Sequence, residues 1–243
     1  LKFPSAMKIA FGENPKVNYA GMNTSPVTRM AIAGMLREEL FNARSYLESR
    51  DQDKTDFNLH YEAWRPVFAK EIPLKAHVHR VDDIFTAIRI AREFDLNMTL
   101  DHCSEGHLIA EEIVEAGYPA IVGPDLTTRN KIEVQNVAFK TAGILANAGA
   151  MVSITTDHPV SLIQSLPMCV GLSVKHGLSM EDGFRAMTIK RAKISGVSDP
   201  IGSIEPGKDA DIAVFDGNPM EVFTNTLMTI IDGEIVYRKK DIQ

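Results

Sequence analysis

Between residues 72 and 157, short apolar runs alternate with longer stretches whose apolar side chains recur at helical spacing. Strands are predicted at 74–78, 97–102, 119–123 and 151–157. A helix over 82–94 gathers Ile84, Ala87, Ile88 and Ala91 on one face. Ser104 is a candidate cap for a helix carrying Leu108, Ile109 and Ile113, which Gly117 would end. A further helix over 134–148 would close at Gly149, and helical segments follow at 161–176 and 180–195. Upstream, 7–11 reads as a strand and Gly12-Glu13-Asn14-Pro15 as a loop. Ser25-Pro26 opens a helix with Met30, Ala31, Met35, Phe41 and Ala43 on its apolar side. The polar stretch 48–56 breaks it, and another helix covers 58–70. Strand and helix in alternation predict βαβ units and a parallel sheet.

The pattern changes after Ser195. Ala210, Ile212 and Val214 alternate with Asp209, Asp211 and Ala213, the period of a strand with one covered face. Residues 229–231 and 234–237 flank Asp232-Gly233, the pair suited to a two-residue type I′ hairpin turn. A small β unit over 197–243 therefore follows an α/β unit over 1–196.

Composition narrows the function. The 243 residues are 44% hydrophobic, enough for an ample core. With 26 basic against 32 acidic side chains and no Lys/Arg-rich block, nucleic acid is not an expected partner. No apolar window approaches the ~18 residues of a membrane span, and no signal-peptide profile opens the chain, so no membrane partner is expected. Cys103 and Cys169 stand far apart, which suits a reducing compartment, and the cytoplasm is the expected location.

Chemistry-bearing residues collect where strands end. In Ala76-His77-Val78-His79 a two-residue period puts both imidazoles on one face. Two ligands converging on one ion fit that spacing; so does a hydrogen-bonded core histidine beside a solvated one. His77, His102 and Asp157 each fall at the carboxyl end of a predicted strand, where parallel α/β folds place their chemistry. Zn²⁺ accepts imidazole nitrogen and carboxylate oxygen together. The competing reading makes His102 and Asp157 helix caps, with Pro159 at a helix start.

The tail GSIEPGKDADIAVFDGNP followed by TIIDGEIVYRK resembles the closing segment of the metal-dependent amidohydrolase superfamily, and LKAHVH, LDH and TTDHP resemble its fifth, sixth and eighth barrel strands. The resemblance runs over essentially the whole chain and is best to imidazolonepropionase-like and prolidase-like amidohydrolases. It implies a (β/α)8 TIM-type barrel with a small β-sandwich appendage. It also implies a divalent metal, zinc or another ion, with His77 and His102 as ligands and Asp157 as both ligand and general base. His102 would stand either as a ligand or beside the oxyanion.

Two features depart from the superfamily pattern. No histidine precedes His60, so the first-strand H-x-H has no counterpart. Casting His77-Val78-His79 in that role would leave too few strands for a barrel. The chain opens on Leu1, and strands four to eight are expected here, as the C-terminal portion of a longer protein; the absent N-terminal segment is then a candidate partner. Lys8 is the only candidate by position for the strand-four lysine that is carboxylated in some subgroups, so one metal is expected and two would require Lys8 in that form.

The implied activity is hydrolysis of an amide or cyclic amide C–N bond in a small-molecule substrate, by a homo-oligomeric enzyme. His79, Arg80, His107 and His158 adjoin the strand ends and are candidate substrate contacts. Arg80 has the fork to pair a substrate carboxylate, although Asp82 and Asp83 are equally suited to it. A deaminase of heterocyclic amidines and a non-catalytic truncated barrel acting as a scaffold are the alternatives. The sequence His79-Arg80-Val81 supplies no Glu after strand five, as deaminases often carry, which favours hydrolysis.

Overall fold

A five-stranded sheet carries the chemistry. The structure is a computed structural model that describes residues 2–240. Strands β1 (Met7–Ala10), β2 (Leu74–Val78), β3 (Met98–His102), β4 (Ala120–Val122) and β5 (Val152–Ile154) lie side by side in that order. Every neighbouring pair is parallel. The order matches chain order because each strand is returned to the same end by a crossover, as parallel pairing requires.

The crossovers are helical. Between β1 and β2 run α1 (Glu13–Gly21), α2 (Arg29–Arg50), α3 (Leu59–Glu62) and α4 (Arg65–Phe68). Then come α5 (Val81–Glu93) after β2, α6 (Ala110–Ala116) after β3 and α7 (Lys140–Ala148) after β4. After β5 follow α8 (Leu166–Lys175), α9 (Met180–Met187) and α10 (Ile189–Ile194). Thr28 caps α2 by accepting the Ala31 N–H, and Ser179 caps α9 by accepting that of Asp182. Gly117 and Gly149 end α6 and α7 in the left-handed conformation that lacks a penalty only for glycine. No described helix is long and apolar enough to cross a membrane.

The two-residue period of β2 explains its place. Leu74, Ala76 and Val78 are fully buried and join Ile84, Ile88 and Ala91 of α5 in the main apolar cluster. Burying side chains of this size stabilises by ~1.5–3 kcal/mol for each Val, Leu or Ile. Lys75 and His77 alternate with them and point to the other, inner side of the curved sheet.

Several elements differ from those read in the sequence. The stretch Glu13-Asn14-Pro15 is helical, not a loop: Gly12 at φ 80 starts α1, and Pro15 falls in the first turn, where its missing N–H is not needed. Ser104 caps no helix, because a short turn over Gly106–Leu108 intervenes and Ile109 precedes α6. The helix expected from residue 134 begins only at Lys140, after a single tight turn at Ile132–Val134. The segment 58–70 forms two short helices and 180–195 is broken at Thr188, whose φ of −124 and ψ of −104 leave the helical region.

The tail forms a separate antiparallel sheet of β6 (Ile212–Phe215), β7 (Thr226–Ile231) and β8 (Glu234–Arg238). Asp232 and Gly233 both take positive φ, as a type I′ turn demands. Met220 is the only buried side chain after Ala192 among the described residues. It sits over Gly171 of α8, where a Cβ would strike the Met220 carbonyl, and Gly183 of α9, where a Cβ would strike Val174 and crowd the Met220 methyl.

Candidate metal centre

The carboxyl ends of β2 and β3 bring three imidazoles together. His77 closes in from within β2, His79 lies one residue beyond that strand, and His102 is the last residue of β3. Their ring centroids are 4.4 Å apart for His77 and His102, 4.7 Å for His77 and His79, and 4.8 Å for His79 and His102. One nitrogen of each lies within 4.8 Å of the others, and all three side chains are buried.

His102 reaches this group through its backbone. In register it pairs with Val78, whose side chain points outward, whereas Asp101 pairs with inward-facing His77. Strand alternation alone would send His102 outward. Its φ of 71, followed by φ 48 at Cys103, turns the chain and returns the ring to the inner side. A left-handed non-glycine residue costs ~1–2 kcal/mol, so the surrounding packing must hold it.

Hydrogen bonds fix the rings. His102 Nδ1 donates to the Gly123 carbonyl at 2.8 Å, which leaves Nε2 as its free lone pair. His79 Nδ1 is 2.7 Å from Ser104 Oγ. His77 Nε2 lies 3.3 Å from Asn14 Nδ2 at the start of α1. Burial, and then the neighbouring His102, lower the His77 pKa to about 3; the same causes with His77 added lower His79 to about 2. His102 is lowered by burial against the opposing effect of the Gly123 carbonyl. Neutral imidazoles sharing a buried pocket are suited to accept a cation, and three nitrogen donors match a borderline divalent ion.

The other residues singled out in the sequence are distributed around this group. Asp157 is exposed, at φ 48 in the turn after β5, and lines the same cavity of about 630 Å³ as the three histidines without joining their cluster. It was expected at a strand end, but β5 stops at Ile154. Lys8 Nζ is ion-paired to Asp101 Oδ2 at 2.9 Å, and Lys75 Nζ holds Oδ1 at 3.0 Å, so Lys8 sits in a charge layer below the histidines. Asp101 also accepts from Thr99 Oγ1 at 2.9 Å. Arg80 pairs with Asp82 at 3.0 Å. His107 Nδ1 meets Thr141 Oγ1 at 3.0 Å, and His158 Nδ1 accepts the Ile163 N–H at 3.3 Å.

His79, placed by resemblance outside the ligand set, lies inside the histidine group. Alternation with His77 was the signal for it. Three residues carried no comparable signal: Asn14, Lys131 and Glu133. Lys131 Nζ hydrogen-bonds Asn14 Oδ1, which ties the loop after β4 to α1. Glu133 is buried beside Gly12 and Asp83, and burial raises its pKa. Arg29 Nε grips Asp83 at 3.0 and 3.1 Å. Pro124, Leu126, Val134, Val137 and Val160 make the cavity's remaining wall largely apolar.

The sequence pattern of the amidohydrolase family matches residues 56–236. The amidohydrolase tasK of Hapsidospora irregularis is 25% identical over 246 residues, covering 93% of this chain and 25% of its own length. The imidazolonepropionase of Fusobacterium nucleatum is 28% identical over 187 residues, 70% of this chain and 43% of its own. The crystal structure of an amidohydrolase from Thermotoga maritima MSB8 superimposes with a TM-score of 0.94 at 37% identity, covering 98% of this chain and 64% of that one. This chain thus spans less than two thirds of the length of each of these relatives.

Proposed function

Because the chain belongs to the amidohydrolase family, within a metal-dependent superfamily, we propose that it contributes the catalytic end of a hydrolase that cleaves an amide or cyclic amide C–N bond. The observation that carries this reading is the group of three buried histidines whose nitrogens lie within 4.8 Å of one another at the ends of two parallel strands. The donor set fits a divalent ion: each ring is buried, two have one nitrogen engaged by a fixed partner, and their pKa values are lowered. Zinc is the ion we propose, since three imidazoles suit it. When bound, such an ion supplies Lewis acidity that lowers the pKa of water and polarises a carbonyl.

The residues then divide the work. His77, His79 and His102 hold the cation, with Gly123 and Ser104 setting the orientation of the last two rings. Asp157, exposed at the cavity wall, takes a proton from water and returns it to the leaving nitrogen, at either of its carboxylate oxygens. Leu126, Val134, Val137 and Val160 give the amide an apolar enclosure. A cytoplasmic homo-oligomer with residues 1–196 and 197–243 as separate units belongs to the same proposal.

Elemental analysis of the purified chain tests it, together with titration of zinc into the wild type and into His77→Ala, His102→Ala and Lys8→Met. The expected result is one equivalent of metal in the wild type, loss in both histidine variants, and no change in Lys8→Met. A folded wild type that takes up no metal would remove the hydrolase reading in favour of a scaffold. Two equivalents falling to one in Lys8→Met would assign a second ion to that lysine. A panel of N-acyl amino acids and heterocycles, followed by product and ammonia release, separates amide hydrolysis from deamination.

A further inference from the structure

Charge is sparse around the cavity. Among the described residues that line it, Lys131 and Asp157 are the charged side chains beside the three histidines. Burial lowers the pKa of each ring, so the imidazoles are neutral at neutral pH. Lys131 is therefore the one cationic side chain of the wall. Arg80, the fork that the sequence offers for a substrate carboxylate, does not line the cavity, and its Nε donates to Asp82 at 3.0 Å.

Lys131 lies in the loop after β4, immediately before the tight turn at Ile132–Val134. Its carbonyl accepts from the Val134 N–H and from Gln135 Nε2, both at 3.2 Å, which holds the base of the side chain in place. An ammonium has three donors. One goes to Asn14 Oδ1. The carboxylate oxygen facing it, Glu133 Oε1, is 3.9 Å away, beyond hydrogen-bond reach. Two donors thus remain without an acceptor among the described residues, on a side chain that is 37% exposed. Glu133 is itself 1% exposed and does not line the cavity, so an anion entering there meets the ammonium first.

The ammonium stands close to the histidines. Asn14 bridges the gap: its Oδ1 takes the Lys131 donor while its Nδ2 lies 3.3 Å from His77 Nε2. One small side chain therefore separates the cation from the imidazole group, the span from an amide carbonyl to a carboxylate one or two carbons beyond the amide nitrogen. Val134 and Val137, a few residues further along the same loop, add an apolar surface beside it. A carboxylate that leaves water for such a cavity needs a charged donor, and Asp157 repels it from its own side of the wall. We propose that Lys131 sets the substrate class of this cavity: its two remaining donors pair a carboxylate carried beside the scissile amide, as in an N-acyl amino acid with an apolar side chain. This inference rests on the hydrolase reading above and narrows it.

The test uses the zinc-loaded chain and two probes, N-acetyl-leucine and N-acetyl-isopentylamine, the same molecule without its carboxylate. Calorimetry follows binding and acetate release follows hydrolysis in the wild type, Lys131→Met, Lys131→Arg and Arg80→Met, with circular dichroism and zinc content measured for each. The wild type should bind the carboxylate probe at least about tenfold more tightly. Lys131→Met should lose that preference in Kd and KM, with kcat within about threefold, and Lys131→Arg should keep it. A lysine that only fastens the loop to α1 would leave the preference intact in Lys131→Met, as would a carboxylate bound by the metal itself, and either result overturns the assignment. So does a preference that falls in Arg80→Met but survives in Lys131→Met. Should Lys131→Met fail to fold, Lys131→Gln carries the same comparison. A wild type that takes up zinc but shows no preference, or binds neither probe, overturns this inference and leaves the hydrolase reading standing. One that takes up no zinc removes both.

Discussion

Removing one hydroxyl, by Ser104→Ala, separates the orientation of His79 from its presence. Ser104 is 3% exposed and His79 7%, and their only polar link is the 2.7 Å contact between Oγ and Nδ1. Without Oγ, a buried ring nitrogen has no partner, which costs ~1–3 kcal/mol of folding stability. For a chain of this size that corresponds to a midpoint lowered by ~2–4 °C for each kcal/mol. The same contact fixes which nitrogen faces the other histidines, and loss of such an outer partner lowers metal affinity by ~10–100-fold. A change of that size is ~1.4–2.7 kcal/mol, so the two losses should be of similar magnitude because they come from one hydrogen bond. The assay is thermal unfolding in chelator paired with a zinc titration at neutral pH, with Ser104→Thr as the variant that keeps the hydroxyl. A stability loss with affinity unchanged would show that His79 binds no cation, and no loss in either would refute the hydrogen bond itself.

Two further outcomes follow from the geometry. In α7, a Cβ on Gly143 would lie 2.7 Å from both the Gly177 carbonyl carbon and the Leu178 nitrogen, so Gly143→Ala forces backbone apart and should cost ~1–3 kcal/mol, whereas Gly34→Ala in α2 meets open space and should stabilise by ~0.4–1 kcal/mol. Denaturant melts of the two should move in opposite directions, and a common direction would refute the packing argument. For metal-free protein, His79 is protonated in the unfolded chain well before the folded one, because its folded pKa is lowered to about 2. Its contribution to stability is therefore complete above about pH 6.5 and is lost on acidification by ~1.4 kcal/mol per pH unit. Asp83, Asp125 and Glu133, whose pKa values burial raises, act in the opposite sense over part of this range. The difference between wild type and His79→Gln isolates the histidine: the variant's slope between pH 6 and 4 should be shallower by about that amount, and parallel curves would contradict it.

The strands were legible because their apolar alternation is enforced by burial on one side, as with Leu74, Ala76 and Val78. So was the meeting of His77 and His79, which follows from strand period alone. The return of His102 to the inner face was not, because it depends on two consecutive left-handed residues that no side-chain pattern announces. Asp157 read as a strand end because Val152, Ser153 and Ile154 begin a strand that the following residues do not continue. The helix at Glu13 was hidden by Pro15, a residue tolerated in a first turn and easily read as a break. Glu133 was silent for a different reason: its place is set by a loop crossing to α1, a long-range contact through Glu13 and Gly12 that local sequence does not encode.

Every residue lining the cavity lies between Asn14 and Val160, and among the described residues beyond Ala192 the one buried side chain is a methionine seated against two glycines. Met220 works as a peg in a two-hole socket. Filling either of the two bare helix positions would push that peg out, so Gly171→Ala should loosen the tail without a change in any residue that lines the cavity. Among the described residues, a change in the tail that leaves this peg in place touches none of the side chains that line the cavity.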